Sequence, residues 1–79
     1  MNELGENILE VMEASTLGKM SIHVLKKQSK DLSINLDTLS RKDLRTLIQR
    51  LEDILPFFLG EESKEVLAKM RKIETTAER

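Results

Sequence analysis

The sequence predicts an all-α fold: a small antiparallel bundle of about four helices, arranged as two helical hairpins. Three observations carry this. Apolar side chains recur at spacings of three and four along most of the chain, which puts them on single helical faces. Proline occurs once and glycine three times, and no run of β-branched residues alternates as a strand would. Ser40 followed by Asp43 has the form of a capping box, in which hydroxyl and carboxylate each satisfy an amide at a helix start.

The first segment, Asn2 to Ala14, sets Leu4, Ile8, Val11 and Met12 on one side and Glu3, Glu6, Glu10 and Glu13 on the other. The early glutamates suit the positive end of a helix dipole, while Gly5 weakens the first turn. At Ser15, Thr16, Leu17 and Gly18 two readings diverge. A continuous helix would carry its stripe through Leu4, Ile8, Val11, Ser15, Gly18, Ile22, Leu25, Ser29 and Leu32, fusing the first two helices into one long kinked element. The glutamate stripe, however, extrapolates onto apolar Leu17, Met20 and Val24. The favoured reading is therefore a boundary between Ala14 and Leu17, with Ser15 or Thr16 capping a second helix.

That second helix, Leu17 to Leu32, is expected to bury Leu17, Met20, Ile22 or Val24, Leu25 and Leu32. Its other face carries a basic stripe of Lys19, His23, Lys26, Lys27 and Lys30, complementary to the acidic stripe of the first helix. If the two helices fold antiparallel, or two subunits cross, the stripes can face each other.

The loop DLSINLDTL places Asp31, Ser33, Asn35 and Asp37 at alternate positions, as an EF-hand does. Leu36 occupies the glycine position, and Lys42 stands where two carboxylate oxygens must close the site. The ordinary reading prevails: Asn35 and Asp37 make side-chain turns while Leu32, Ile34, Leu36 and Leu39 tuck the loop onto the core.

From the Ser40 cap, Leu44, Leu47, Ile48, Leu51, Ile54, Leu55 and Phe58 form one face, and Leu39 is placed to staple against Leu44. Pro56 lacks an amide hydrogen and crowds the carbonyl of Glu52, so the helix is expected to stop near Ile54 or to kink. The apolar run Leu55, Pro56, Phe57, Phe58, Leu59 then reads as a buried corner. The competing reading leaves it open to a partner, because adjacent phenylalanines on a helix point in different directions. Gly60 suits a cap with positive φ. A last helix opens at Glu61, Glu62 and Ser63 and turns Val66, Leu67, Met70 and Ile73 inward. Residues 1–74 thus read as one helical domain and 75–79 as a frayed tail.

Composition narrows the function classes. The chain has 13 Lys plus Arg against 14 Asp plus Glu, a balance that argues against a dedicated nucleic-acid binder. With one histidine and no cysteine, tyrosine or tryptophan, few groups can attack, donate or accept in catalysis. His23 reads as a surface residue of the basic face rather than a general base, and no carboxylate is tied to it by spacing. Glu6, Glu10 and Glu13 have metal-compatible spacing, yet a solvated glutamate face is the commoner arrangement. Gly18 and Lys19 lack the strand and glycines of a phosphate loop. No catalytic residue, cofactor or metal is expected. Without a leader-like or membrane-spanning apolar run, a cytoplasmic setting is expected.

The expectation for function is a non-catalytic protein-interaction or regulatory module, acting as a homodimer or through a partner protein. Phe57, Phe58 and Leu59 are the preferred contact. The alternative is weak binding of nucleic acid or an acidic partner through Lys19, His23, Lys26, Lys27 and Lys30, with Arg41, Lys42 and Arg45 in support. No aromatic residue is interleaved with those cations to stack on bases.

Overall fold

A computed structural model describes residues 1–76 of the chain. Four α-helices make up the fold: α1 (Glu3–Glu13), α2 (Ser21–Asp31), α3 (Arg41–Leu59) and α4 (Glu62–Thr76), with a 3-10 turn at Gly18–Met20 before α2. There is no strand among the described residues, as the helical periodicity predicts. Side-chain and backbone links give the directions. The start of α1 is tied to the loop before α3, where the Asn2 amide donates to the Leu36 carbonyl and the Asn2 side chain to that of Leu39, both at 2.9 Å. At the opposite end, the Thr16 amide donates to the carboxylate of Glu62, the first residue of α4. Arg71 and Glu74 of α4 reach back to Glu52 and Arg45 of α3. The chain therefore runs up, down, up and down, and α3 packs most extensively against α4.

Each helix start and stop has a local cause. The Asn2 side chain accepts from the Gly5 amide and caps α1. The Ser40 hydroxyl accepts from the Asp43 amide at 3.1 Å and the Asp43 carboxylate takes the Ser40 amide, so the predicted capping box is formed. Leu39 and Leu44, the expected staple, are both buried in the core. That core is built from Ile8 and Met12 of α1, Val24 and Leu25 of α2, Leu44, Leu47, Ile48, Leu51 and Leu55 of α3, and Val66 and Met70 of α4. Leu32, Ile34 and Leu36 of the loop pack on it half-buried, as expected, and the Asp37 amide donates to the Asn35 side chain in the expected turn.

The first two helices are separate. Gly18 has φ +51°, a conformation that interrupts any continuous helix through this region. The boundary falls where expected, but α2 starts at Ser21 rather than Leu17, and neither Ser15 nor Thr16 caps it. Ser15 instead closes α1: its hydroxyl donates to the Met12 carbonyl and accepts from the Leu17 amide. Because α2 starts late, Met20 lies outside its inward face and is 55% exposed, contrary to the expected burial. The complementary stripes do not meet either. Glu3, Glu6, Glu10 and Glu13 face water, as do Lys19, His23, Lys26, Lys27 and Lys30, and no ion pair joins the two sets among the described residues. Lys27 pairs instead with Asp31 of its own helix.

Helix α2 ends in a Schellman motif. The Ile34 amide donates to the Ser29 carbonyl at 2.8 Å and the Ser33 amide to that of Lys30 at 3.0 Å. The residue that must turn with positive φ is Ser33, at φ +57°, where glycine is the usual choice. Ser33→Gly is expected to raise stability by about 0.5–1 kcal/mol, read as a higher urea midpoint, because it removes the Cβ penalty of that conformation.

Helix α3 does not stop at Pro56. It continues to Leu59, and the Gly60 amide donates to the Pro56 carbonyl at 2.9 Å. Gly60 then takes φ +57°, as its predicted cap role requires, although its ψ of −129° lies outside the left-handed helical region. Helix α4 includes Thr75 and Thr76, the first two residues of the expected tail, and their hydroxyls donate to the Arg71 and Lys72 carbonyls. The remainder of that tail, 77–79, lies outside the described residues.

Candidate functional site

The buried corner expected of the phenylalanines is absent, for a geometric reason. An α-helix advances about 100° per residue, so with Leu55 facing the core, Phe57 stands roughly opposite and Leu59 comes back inward. Leu55 is fully buried and Leu59 half-buried against the core, while Phe57 is 89% and Phe58 54% exposed. Because the helix persists through Pro56, its phase carries Phe57 away from the core; Phe58, expected on the inward face and only about 60° from Leu55, is nonetheless more than half exposed near the helix end. Of the expected contact trio, Phe57 and Phe58 form the surface and Leu59 anchors it from beneath.

Met20 is the third large apolar residue on the surface. It follows the α1–α2 turn, while Phe57 and Phe58 precede the α3–α4 turn, and the Thr16–Glu62 hydrogen bonds hold these two turns side by side. All three exposed large hydrophobic residues therefore occupy one end of the bundle. Both aromatic residues of the chain are among them. Charges at this end include Lys64, paired with Glu61 at 3.2 Å, and the exposed Asp53 and Lys19.

The basic stripe is placed differently. Lys19 and His23 lie toward the same end as the phenylalanines, whereas Lys26 and Lys30 flank an open groove lined also by Ser29, Ser33 and Asn35 at the far end of α2. In the supporting trio, Lys42 and Arg45 are exposed at the start of α3, and Arg45 is engaged by Glu74. The stripe is a solvated face with part of its charge already matched by Asp31.

Across the far end, Asp37 receives the Met1 amino group at 2.6 Å. That ammonium, through its hydrogen bond first and its charge second, holds the Asp37 carboxyl below the ordinary carboxylate range. Asp37 is exposed and makes no other ion pair among the described residues, so the pair fastens Met1 to the loop. No group of three or more His, Asp or Glu side chains is placed to hold a metal ion among the described residues. No helix there is long and apolar enough to cross a membrane.

Fold and surface together define a small helical bundle with an apolar, aromatic end. Compared with family models, with curated proteins and with solved structures, the chain matches none of them.

Proposed function

We propose that the protein is a non-catalytic interaction module whose contact surface is the end of the bundle formed by Phe57, Phe58 and Met20. The observation that carries this reading is the placement of the aromatic residues. The chain holds two, and it leaves both outside while burying leucine, isoleucine and methionine within. An aromatic side chain offers more apolar area than any of these, and exposed aromatic area is enriched in the cores of protein contacts. Phe57 and Phe58 hang from a helix whose Leu55 and Leu59 are held by the core, so the surface is rigid before any partner arrives.

A second copy of the chain is the first partner to test, because an apolar end of this kind is self-complementary about a two-fold axis. Sedimentation over a wide concentration range is expected to show a mass above the 9.1 kDa of one chain. Phe57→Glu should weaken the association by at least about tenfold, the scale of a contact hot spot. Since Phe57 touches little of its own fold, the helical signal and melting temperature of this variant should stay close to the parent. A wild-type mass fixed at one chain removes the homodimer, and unfolding of Phe57→Glu removes the surface itself.

The reading through the basic stripe has weaker support, since Lys19, His23, Lys26, Lys27 and Lys30 are exposed side chains without aromatic platforms between them, and Lys27 is already paired with Asp31. It calls for salt-sensitive retention on a polyanion that falls when Lys26 and Lys30 are replaced, with no effect of Phe57→Glu.

A further inference from the structure

Helix α2 differs from the other three in how it is held. Its inward face buries Ser21, Gln28 and Ser29 beside Val24 and Leu25, a more polar seam than any other helix presents to the core. The Ser29 hydroxyl is satisfied within the helix by donating to the Leu25 carbonyl at 2.8 Å. The other two are not: Ser21 Oγ and Gln28 Oε1 are buried without a hydrogen-bond partner, Ser21 at 0% and Gln28 at 8% exposure. Such groups lose their water on folding and receive nothing in exchange.

The ends of α2 carry the same signature. It is entered after Gly18 at φ +51° and left through Ser33 at φ +57°, and no side chain caps its start. Among the described residues, no ion pair or side-chain hydrogen bond joins α2 to another helix; its one ion pair, Lys27 to Asp31, is internal. By contrast, α3 and α4 are cross-linked by Arg71–Glu52 and Arg45–Glu74, and α4 is tied to the α1–α2 turn through Glu62. What holds α2 down is the apolar contact of Val24 and Leu25, with Leu32 packed half-buried at its end.

We infer that α2 is a releasable strap: it lifts from α1 and α3 as a unit between Gly18 and Ser33 while α3 and α4 stay packed, and in doing so uncovers the apolar surface that Val24 and Leu25 cover. Release returns Ser21 and Gln28 to water and frees Ser33 from its positive φ. Three local costs of the closed state are thus relieved in one movement, at the loss of two fully or largely buried apolar side chains. Regions with few buried apolar contacts and no cross-links open at lower free energy than the fold as a whole. The observations behind it are separate from the exposure of Phe57 and Phe58, which stand on α3, although Met20 at that end of the bundle moves with the strap.

Native-state hydrogen exchange tests it on the whole chain. Amides of Leu25 to Lys30, corrected for intrinsic rates, are expected to exchange at least about tenfold faster than those of Leu47 to Leu55. Their exchange should also depend only weakly on added urea, as a partial opening requires. In the triple variant Ser21→Ala, Gln28→Leu, Ser33→Gly, which removes both orphan groups and the positive-φ serine, the difference between the two sets should shrink severalfold. Equal protection of α2 and α3 in the parent chain overturns the strap. So does a difference that the triple variant leaves unchanged, since the opening would then owe nothing to these three residues.

Discussion

Leu51→Ala is expected to cost about 2–5 kcal/mol, the range for removing a buried leucine when its surroundings relax only in part. Leu51 is at 0% exposure in the middle of α3, flanked along the same face by Leu47, Ile48 and Leu55, none above 1%. It belongs to the shared core, α3 packs most extensively against α4, and the adjacent Glu52 ties α3 to Arg71 of α4 at 2.5 Å. The walls of the resulting cavity therefore have little room to collapse. A domain of this length has about 4–12 kcal/mol of stability in total, so the substitution takes a large fraction of it. Thermal denaturation followed by circular dichroism should show the midpoint falling by about 10–30 °C. Gln49→Ala, two residues away on the exposed face, should move it by no more than a few degrees. A loss below about 1 kcal/mol for Leu51→Ala would mean that α3 does not present this face to a shared core.

The features read correctly in the sequence are those whose cause lies within a turn or two of chain. The Ser40 and Asp43 box, the Leu44 to Leu55 face, the Asn35 turn and the Val66, Met70 face all depend on local spacing, and spacing is what a sequence displays. Gly5 shows what it conceals. By propensity it weakens α1, yet a Cβ there would stand 2.6 Å from Met1 Cγ and 3.3 Å from the Leu36 carbonyl oxygen. The Met1 side chain can move aside, so the constraint that sequence conceals is the tight approach of the Leu36 backbone, some thirty residues later in the chain. Met20 is misplaced because the apolar periodicity of α2 does not reach back to it: it closes the 3-10 turn Gly18–Met20, whose three residues per turn do not keep the phase of the α-helix that follows. Ser21, Gln28 and Ser29 look like solvent positions by residue type and are buried by topology alone. The aromatic end could be half-read: two adjacent phenylalanines on a helix cannot both face in, and the survival of α3 past Pro56 sends Phe57 outward, but the same phase keeps Phe58 near Leu55 and its exposure is not legible from spacing.

That survival makes Pro56 the second residue whose replacement should have a large effect, and in the opposite direction. Within a helix a proline cannot donate to the carbonyl four residues back, here Glu52, and its ring presses on that carbonyl, at a cost of about 3 kcal/mol in a helix interior. Pro56 stands a turn from the end of α3 and its side chain is exposed, so alanine adds an amide donor without opening a cavity. Against this, alanine loosens the unfolded chain, which gives back about 0.4–1 kcal/mol. The balance is a net stabilisation of about 2–2.5 kcal/mol, seen as a rise of about 8–20 °C in the thermal midpoint. A midpoint that falls instead would show that the proline supports its surroundings in a way its exposed position does not suggest. The same variant bears on function. Residues that lower stability without packing in the core tend to be kept near working surfaces, and Pro56 immediately precedes the two exposed phenylalanines. If Pro56→Ala stabilises the monomer while weakening the contact that Phe57→Glu abolishes, the proline sets the aim of Phe57 and Phe58 and its cost to the helix is a condition of the interface. If the contact is untouched, the orientation of the two rings is fixed by Leu55 and Leu59 alone, and the surface is a property of helical phase.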